Sequence, residues 1–244
     1  MRRFYVPPEH FKDGNVHLGL EETRHLRDVL RLRVGEKINV FDGEGREFLC
    51  TVGKIEKKSS MAVITAEVDP VSPESNLELV LAVGLLKGEK FDLVVQKAVE
   101  LGVSRIQPLH TKRSDVKSAV KDTKTERWRK ISLEAAKQSG RASLAKIENP
   151  IKFEEFIENF DTSTAAGEGR ILFTERDGRG FEIDRQFKKI TALVGPEGGW
   201  EESELDSALK GGFELITFGG RILRAETAAI TVASILQHRF GDLN

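Results

Sequence analysis

Leu193-Val194-Gly195-Pro196-Glu197-Gly198-Gly199-Trp200 and, further along, Phe218-Gly219-Gly220-Arg221-Ile222-Leu223-Arg224-Ala225-Glu226-Thr227-Ala228 are glycine-bearing loops with the same surroundings. Each follows a short apolar, β-prone run, 190–194 and 213–218, and each precedes a helical pattern. Strand, loop and helix in repetition predict an α/β domain with a parallel sheet. Both loops then fall at the carboxyl ends of strands, where open α/β sheets place their ligands. In the first loop the glycines let main-chain amides approach a ligand closely, and Pro196 stiffens the turn. Glu201, Glu202 and Glu204 read as the acidic first turn of a helix, whose amino terminus can hold an anionic or carbonyl-like group. A turn that only reverses the chain has the same composition.

Working outward, the same rhythm extends upstream. Residues 77–86 form a nearly continuous apolar run, as in a strand buried on both faces. Phe91, Val94, Val95, Ala98 and Val99 then recur at helical spacing up to Gly102. Residues 106–109 read as a strand, 125–139 as a basic amphipathic helix closed by Gly140, and 170–173 as a further strand. The stripe Phe153, Phe156, Ile157 and Phe160 reads as core. Residues 201–210 and 225–239 read as helices.

Before residue 73 the pattern differs. Residues 2–6, 37–41, 47–55 and 61–68 read as strands, with Asp42-Gly43-Glu44-Gly45 as a hairpin turn. A helix over 21–32 places Leu26, Val29 and Leu30 on one face and Arg24, Arg27 and Arg31 on another. Asp69-Pro70-Val71-Ser72-Pro73-Glu74-Ser75 has the composition of an extended linker with few contacts. The division expected is therefore a small β-rich domain over 1–72 and an α/β domain over 73–244.

Composition narrows the function classes. The 244 residues are 39% hydrophobic and 32% charged, as in soluble globular proteins. No run has the roughly 18 apolar residues of a membrane helix, and the first residues lack the apolar core of a signal peptide, so a cytoplasmic location is expected. Cys50 is alone and the five histidines show no metal-ligand spacing, so neither a disulfide framework nor a metal is expected. The net charge of -1 conceals a basic segment over 111–146, where eleven Lys and Arg stand against four acids. Such a patch attracts phosphate backbones, although a solvated helix face has the same sequence.

The two loops match neither the dinucleotide fingerprint nor the phosphate-binding P-loop. No histidine falls near them to serve a hydrolase. Strand-end loops offering amides, carbonyls and the apolar Ile222 and Leu223 suit an adenine-bearing ligand held largely by main chain.

Gly195-Pro196-Glu197-Gly198-Gly199 together with Arg221-Ile222-Leu223-Arg224-Ala225-Glu226-Thr227-Ala228 resembles the RsmE family, which methylates N3 of a uridine in 16S ribosomal RNA. Lys87-Gly88-Glu89-Lys90, the block 96–103, the block 134–141, Arg3-Phe4-Tyr5-Val6 and the block 25–31 are similar to that family as well, in the same order along the chain. The resemblance implies an amino-terminal PUA-like β-barrel and a SPOUT-type parallel sheet whose last part is threaded into a trefoil knot. It implies S-adenosylmethionine as cofactor, held by Phe173, Thr174, Gly195, Pro196, Gly199, Phe218, Gly219, Arg221, Ile222, Leu223 and Thr227. It also implies a homodimer acting on 16S rRNA in the small ribosomal subunit. Ser143-Leu144-Ala145 and Gly220 depart from the family pattern without removing a chemical group.

Uracil N3 must become nearly anionic before it takes a methyl group from a sulfonium. Arg224 and Arg221 are the candidates for stabilising the charge that develops. Glu197 or Glu226 is the candidate for orienting the base or accepting its proton; either can instead bind loop amides or an arginine. For contact with RNA the candidates are Arg2, Arg3, Arg24, Arg27 and Arg31 in the first domain and Lys112, Arg113 and Arg141 in the second.

Overall fold

Residues 2–114, 122–161, 163, 165–176, 178–182 and 185–243 are described by a computed structural model. They form two compact units, one of Met1–Glu74 with Ala136–Leu144 and one of Ser75–Ala135 with Ala145–Asn244.

The first unit is built on a six-stranded sheet of β1 (Arg3–Tyr5), β2 (Phe11–Lys12), β3 (Asn15–Leu18), β4 (Lys37–Phe41), β5 (Glu47–Ile55) and β6 (Ser60–Val68), in the order β1-β4-β5-β6-β3-β2. β1 runs parallel to β4 and the other pairs are antiparallel. Alternation decides which face is buried: Ile38 and Val40 of β4 and Phe48, Cys50 and Val52 of β5 turn inward with Phe4, Val16 and Leu26. In the β4–β5 turn the Asp42 carboxylate accepts the N–H groups of Glu44 and Arg46, which holds the register Val40 opposite Phe48.

Three expectations for this region are corrected. The helix over 21–32 is shorter: α1 (Leu20–Arg24) passes into a π turn over His25–Val29, and Arg31 then takes a φ of 53°. An α-helix cannot continue through a left-handed residue, so Leu26 is buried while Val29 is 69% exposed. The stretch 69–75 is not a free linker. Ser72 N–H donates to the Gly140 carbonyl, and the Glu74 carboxylate pairs with Arg141 at 2.7 Å. Residues 136–144, expected in the second domain, belong to this unit.

The second unit carries β7 (Glu78–Gly84), β8 (Arg105–His110), β9 (Lys146–Ile147), β10 (Ile151–Lys152), β11 (Glu168–Phe173), β12 (Lys189–Val194) and β13 (Glu214–Ile216), every pair parallel. Their order is β10-β8-β7-β12-β11-β13, with β9 also on β8. The helices are α2 (Lys90–Glu100), α3 (Asp122–Ser139), α4 (Phe153–Ile157), α5 (Glu202–Lys210) and α6 (Ala225–Phe240). β7 and β12 at the centre are apolar on both faces, as a covered parallel sheet requires. α2 buries Phe91, Val94, Val95, Ala98 and Val99, and Trp128 of α3 stacks on Phe91 at 4.4 Å while donating to Asp92 at 2.9 Å. The phenylalanine stripe of 153–160 packs in the core with Trp200 and Phe213. No helix among the described residues is long and apolar enough to cross a membrane.

Candidate functional site

β11, β12 and β13 end side by side, and the segments that leave them enclose a cleft of about 550 Å³. Its wall includes Phe173 and Thr174 after β11, the whole of 194–200 after β12, and Phe218 with 221–225 after β13. Both glycine loops therefore stand at carboxyl ends of parallel strands. The volume lies within the range of roughly 300–1,000 Å³ found for small-molecule sites.

Packing holds the first loop in place. Trp200 is buried on Phe153 and donates its indole N–H to the Phe173 carbonyl at 2.9 Å, tying the loop after β12 to the end of β11. On the other side Pro196 sits against Gly84 at the end of β7, so closely that a Cβ on residue 84 would lie 2.7 Å from the Pro196 nitrogen. Here glycine is required by close approach. Phe173 and Phe218 stack at 4.9 Å and give the cleft an aromatic side.

The amino terminus of α5 is not an open anion site. The Glu201 side chain accepts the N–H of Glu204, and Glu204 accepts the N–H of Glu201 at 2.9 Å, a reciprocal capping box. Buried Glu204 also accepts the Lys112 N–H. The helix's own acids occupy the donors that a ligand would need.

Charge in the cleft is arranged around Lys90, the first residue of α2. Its ammonium donates to Glu197 at 2.9 Å and stands 3.9 Å from Glu226. Burial pushes the Glu197 carboxyl up, but the Lys90 hydrogen bond and nearby backbone N–H groups outweigh it and hold the carboxyl below its ordinary range. The same contact holds the Lys90 ammonium above its ordinary range. Arg221 and Arg224 also line the cleft; both are exposed, and neither side chain makes a hydrogen bond or ion pair among the described residues.

Of the residues expected at the site, Phe173, Thr174, Gly195, Pro196, Glu197, Gly199, Phe218, Arg221, Ile222, Leu223 and Arg224 line one cleft. Gly219, Glu226 and Thr227 do not reach its wall. Glu226 is in the first turn of α6, and its Oε2 is buried without a hydrogen-bond partner. The reading from sequence missed Lys90, Glu175 and Arg176 in the wall. Lys90 carried a signal, because its Lys-Gly-Glu-Lys block follows an apolar strand as the two glycine loops do.

The expected RNA contacts divide by burial. Arg3 is 9% exposed and donates to buried Glu47 and to the carbonyls of Ala136 and Arg141, with its guanidinium 4.1 Å from the Phe41 ring. Arg141 is 4% exposed and paired with Glu74. Both are corrected from RNA contacts to structural groups, because a guanidinium committed to buried acceptors is not available to a phosphate. Arg2 pairs with Glu36, and Arg27 donates to Asp28 and to the carbonyl of Lys57. Lys112 donates to Ser203, and Arg113 pairs with Glu201 at the cleft. The side chains of Arg24 and Arg31 make no hydrogen bond or ion pair among the described residues.

The basic residues of 111–146 are largely paired where they are described. Lys117 and Lys121 lie outside the described residues, and Arg127, Arg129, Lys137, Arg141 and Lys146 each pair with a carboxylate. Among the described residues no cluster of three or more His, Cys, Asp or Glu side chains is placed to hold a metal ion.

The cleft fits the cofactor that the resemblance implied. Its aromatic side and glycine-loop main chain suit a purine, and the Glu197 and Glu175 carboxylates suit a cationic remainder. The comparisons with known proteins point the same way. Residues 73–237 match a family model described as an RNA methyltransferase domain, and 19–65 match an RNA methyltransferase PUA domain. A protein of Synechocystis named ribosomal RNA small subunit methyltransferase E is 32% identical over 93% of this chain and 74% of its own length. One of the same name from Mesomycoplasma hyopneumoniae is 37% identical over 64% of this chain and 68% of its own. The crystal structure of ribosomal RNA small subunit methyltransferase E from Neisseria gonorrhoeae, bound to S-adenosyl methionine, superposes with a TM-score of 0.88 at 34% identity, covering 100% of both chains. With an α/β unit on a parallel sheet, a PUA-like unit and relatives that extend along most of its length, the chain belongs to the ribosomal RNA small subunit methyltransferase E family.

Proposed function

We propose that this protein transfers a methyl group from S-adenosylmethionine to N3 of a uridine in 16S ribosomal RNA of the small subunit. The observation that carries the reading is the cleft, in which two unpaired arginines, Arg221 and Arg224, face a wall of glycine-loop main chain and the Glu197 carboxylate. The first unit, Met1–Glu74 with Ala136–Leu144, binds the RNA and the second transfers the methyl group, and the protein works in the cytoplasm as a homodimer. The last part of the second domain forms a trefoil knot. In support of the knot, β13 lies at the sheet edge beyond β11, yet the next helix, α6, packs back on β7, β12 and α2.

S-adenosylmethionine, when bound, supplies a methyl group made electrophilic by the positive sulfur. The residues of this chain do the rest. Phe173, Thr174, Gly195, Pro196, Gly199, Phe218, Leu223 and Ile222 hold the adenosine, with Gly219 and Thr227 supporting the second loop from behind. Glu197 is the wall carboxylate that accepts the N3 proton, and Glu226 acts on Lys90 alone. Arg224 and Arg221 stabilise the negative charge that N3–H loss spreads over the uracil oxygens. Arg24 and Arg31, with Arg2, Arg27, Lys112 and Arg113 once their surface pairs exchange for phosphates, dock the RNA.

The test is transfer of labelled methyl from S-adenosylmethionine to small ribosomal subunits that lack the modification, with the nucleoside identified by mass. Label in 3-methyluridine at one 16S position is the expected result. Cofactor binding with label in another nucleoside would overturn the substrate, and absence of both label and cofactor binding would leave an RNA-binding protein without turnover. Arg224→Ala is expected to lower turnover by about 10²-fold or more with little change in cofactor affinity.

A further inference from the structure

If Glu197 accepts the N3 proton, its surroundings raise a chemical difficulty. The Lys90 ammonium at 2.9 Å stabilises the carboxylate and so weakens it as a base. A proton acceptor needs that cation withdrawn at the moment of use.

The structure holds a place for the cation to go. Glu226 Oε2 lies 3.9 Å from the same ammonium, is buried, and accepts no hydrogen bond. A buried carboxylate oxygen without a donor is costly, and a movement of about 1 Å by Lys90 would bring it into hydrogen-bond range. Lys90 has the freedom to make it. It sits at the start of α2, its side chain is 39% exposed, and its flexible stem carries a compact charge. Arg224, whose side chain is unpaired, lies close enough to repel the ammonium and weakens its hold in the present position. Glu226 does not line the cleft, whereas Glu197 does.

We propose that Lys90 is a positioning residue that exchanges Glu197 for Glu226 when the cleft fills, freeing Glu197 as the proton acceptor. This rests on the functional reading above. N3–H gives its proton to a Glu197 oxygen, the N3 electron pair forms the new N–C bond, and the S–C bond breaks with its pair left on sulfur. The proton on Glu197 then leaves to water as Lys90 returns. Glu226 acts only through Lys90, so its importance vanishes when Lys90 is absent.

A double-mutant cycle on the full chain tests this, with Lys90→Met, Glu226→Gln and the pair, and Lys90→Arg as the conservative variant. Turnover on unmodified small subunits and S-adenosylmethionine affinity by calorimetry are measured for each, with thermal midpoints to establish folding. Glu226→Gln is expected to lower kcat about tenfold with KM for subunits little changed, and to weaken cofactor binding about threefold, since Lys90 stays forward in the cleft. In the Lys90→Met background both effects shrink to less than about twofold, and Lys90→Arg recovers part of the dependence on Glu226. Equal effects of Glu226→Gln in the two backgrounds would overturn the exchange, as would full activity of Glu226→Gln. If the unaltered protein transfers no methyl group, the functional reading has failed and the exchange falls with it; if it does and the cycle is additive, only the exchange has failed.

Discussion

Replacing Gly84 by Ala puts the tightest contact of the cleft under strain. The new Cβ would lie 2.7 Å from the nitrogen and Cδ of Pro196 and 3.1 Å from its Cβ. Non-bonded carbon atoms settle at about 3.5–4.0 Å, so the two segments must separate by about 1 Å. β7 cannot yield, because it is bonded to β8 on one side and β12 on the other. The Pro196 atoms are backbone and ring, so no rotamer change relieves the clash. The loop must therefore retreat and carry Glu197 away from Lys90. Overpacking of this kind costs about 1–3 kcal/mol. At about 2–4 °C per kcal/mol for a chain of this size, the thermal midpoint should fall by about 2–12 °C. A loop misplaced by about 1 Å can also cost about 10²-fold in turnover. Scanning calorimetry, titration with S-adenosylmethionine and the methyl-transfer assay read the three effects. Gly219→Ala is the comparison, because a Cβ there meets no atom within 4 Å, and its stability should stay within about 0.5 kcal/mol of the original, a midpoint shift of at most about 2 °C. An unchanged midpoint and cofactor affinity in Gly84→Ala would refute the close approach of strand and loop.

Other expectations follow from single contacts. Arg3→Met leaves the Glu47 carboxylate, 0% exposed, without its cation and should cost about 3–5 kcal/mol, or a urea midpoint lower by about 1–2.5 M; lost RNA affinity at full stability would return Arg3 to the RNA surface. Burial pushes the Cys50 thiol up to about 12, so a maleimide at neutral pH should label it only on unfolding, and prompt labelling of the native protein would contradict that. The Glu197 carboxyl is held low in the folded state, so its stabilising effect is present above the ordinary value of 4.5 and is lost as pH falls through the folded value. The difference in thermal midpoint between the protein and Glu197→Gln should accordingly close in acid, and a widening difference would reverse the sign. Arg24→Ala and Arg31→Ala should each reduce the slope of log affinity for RNA against log salt by about 0.7–0.9, and an unchanged slope would remove them from the phosphate contacts.

What the sequence made legible was mostly local. β4 and β5 begin and end where the alternating runs 37–41 and 47–55 do, because the period of two and the Asp42 turn are written in adjacent residues. The glycine loops were legible for the same reason, each lying between an apolar strand and a helix start. Less visible were features made by distant partners. Arg3 and Arg141 look like surface cations until β1 and β5 bring Arg3 to Glu47. Lys90 reads as one more lysine until the crossover connections set β7 beside β12 and its ammonium meets Glu197. The proposed knot is invisible to such reasoning altogether, since connections in folded chains almost never thread one another.

The membership of the first unit bears on how the protein is made. Its sheet is complete once Glu74 has been synthesised, yet Arg3 takes two of its acceptors from Ala136 and Arg141, and Glu74 finds its cation only at Arg141. At about 5–20 residues per second, the roughly 70 residues between Glu74 and Leu144 take on the order of 4–14 s to emerge from the ribosome. During that interval the buried Arg3 guanidinium lacks two of its acceptors and the exposed Glu74 carboxylate lacks its cation. A fragment ending near residue 74 would stay in that state, so the first unit is best isolated with residues 136–144 supplied.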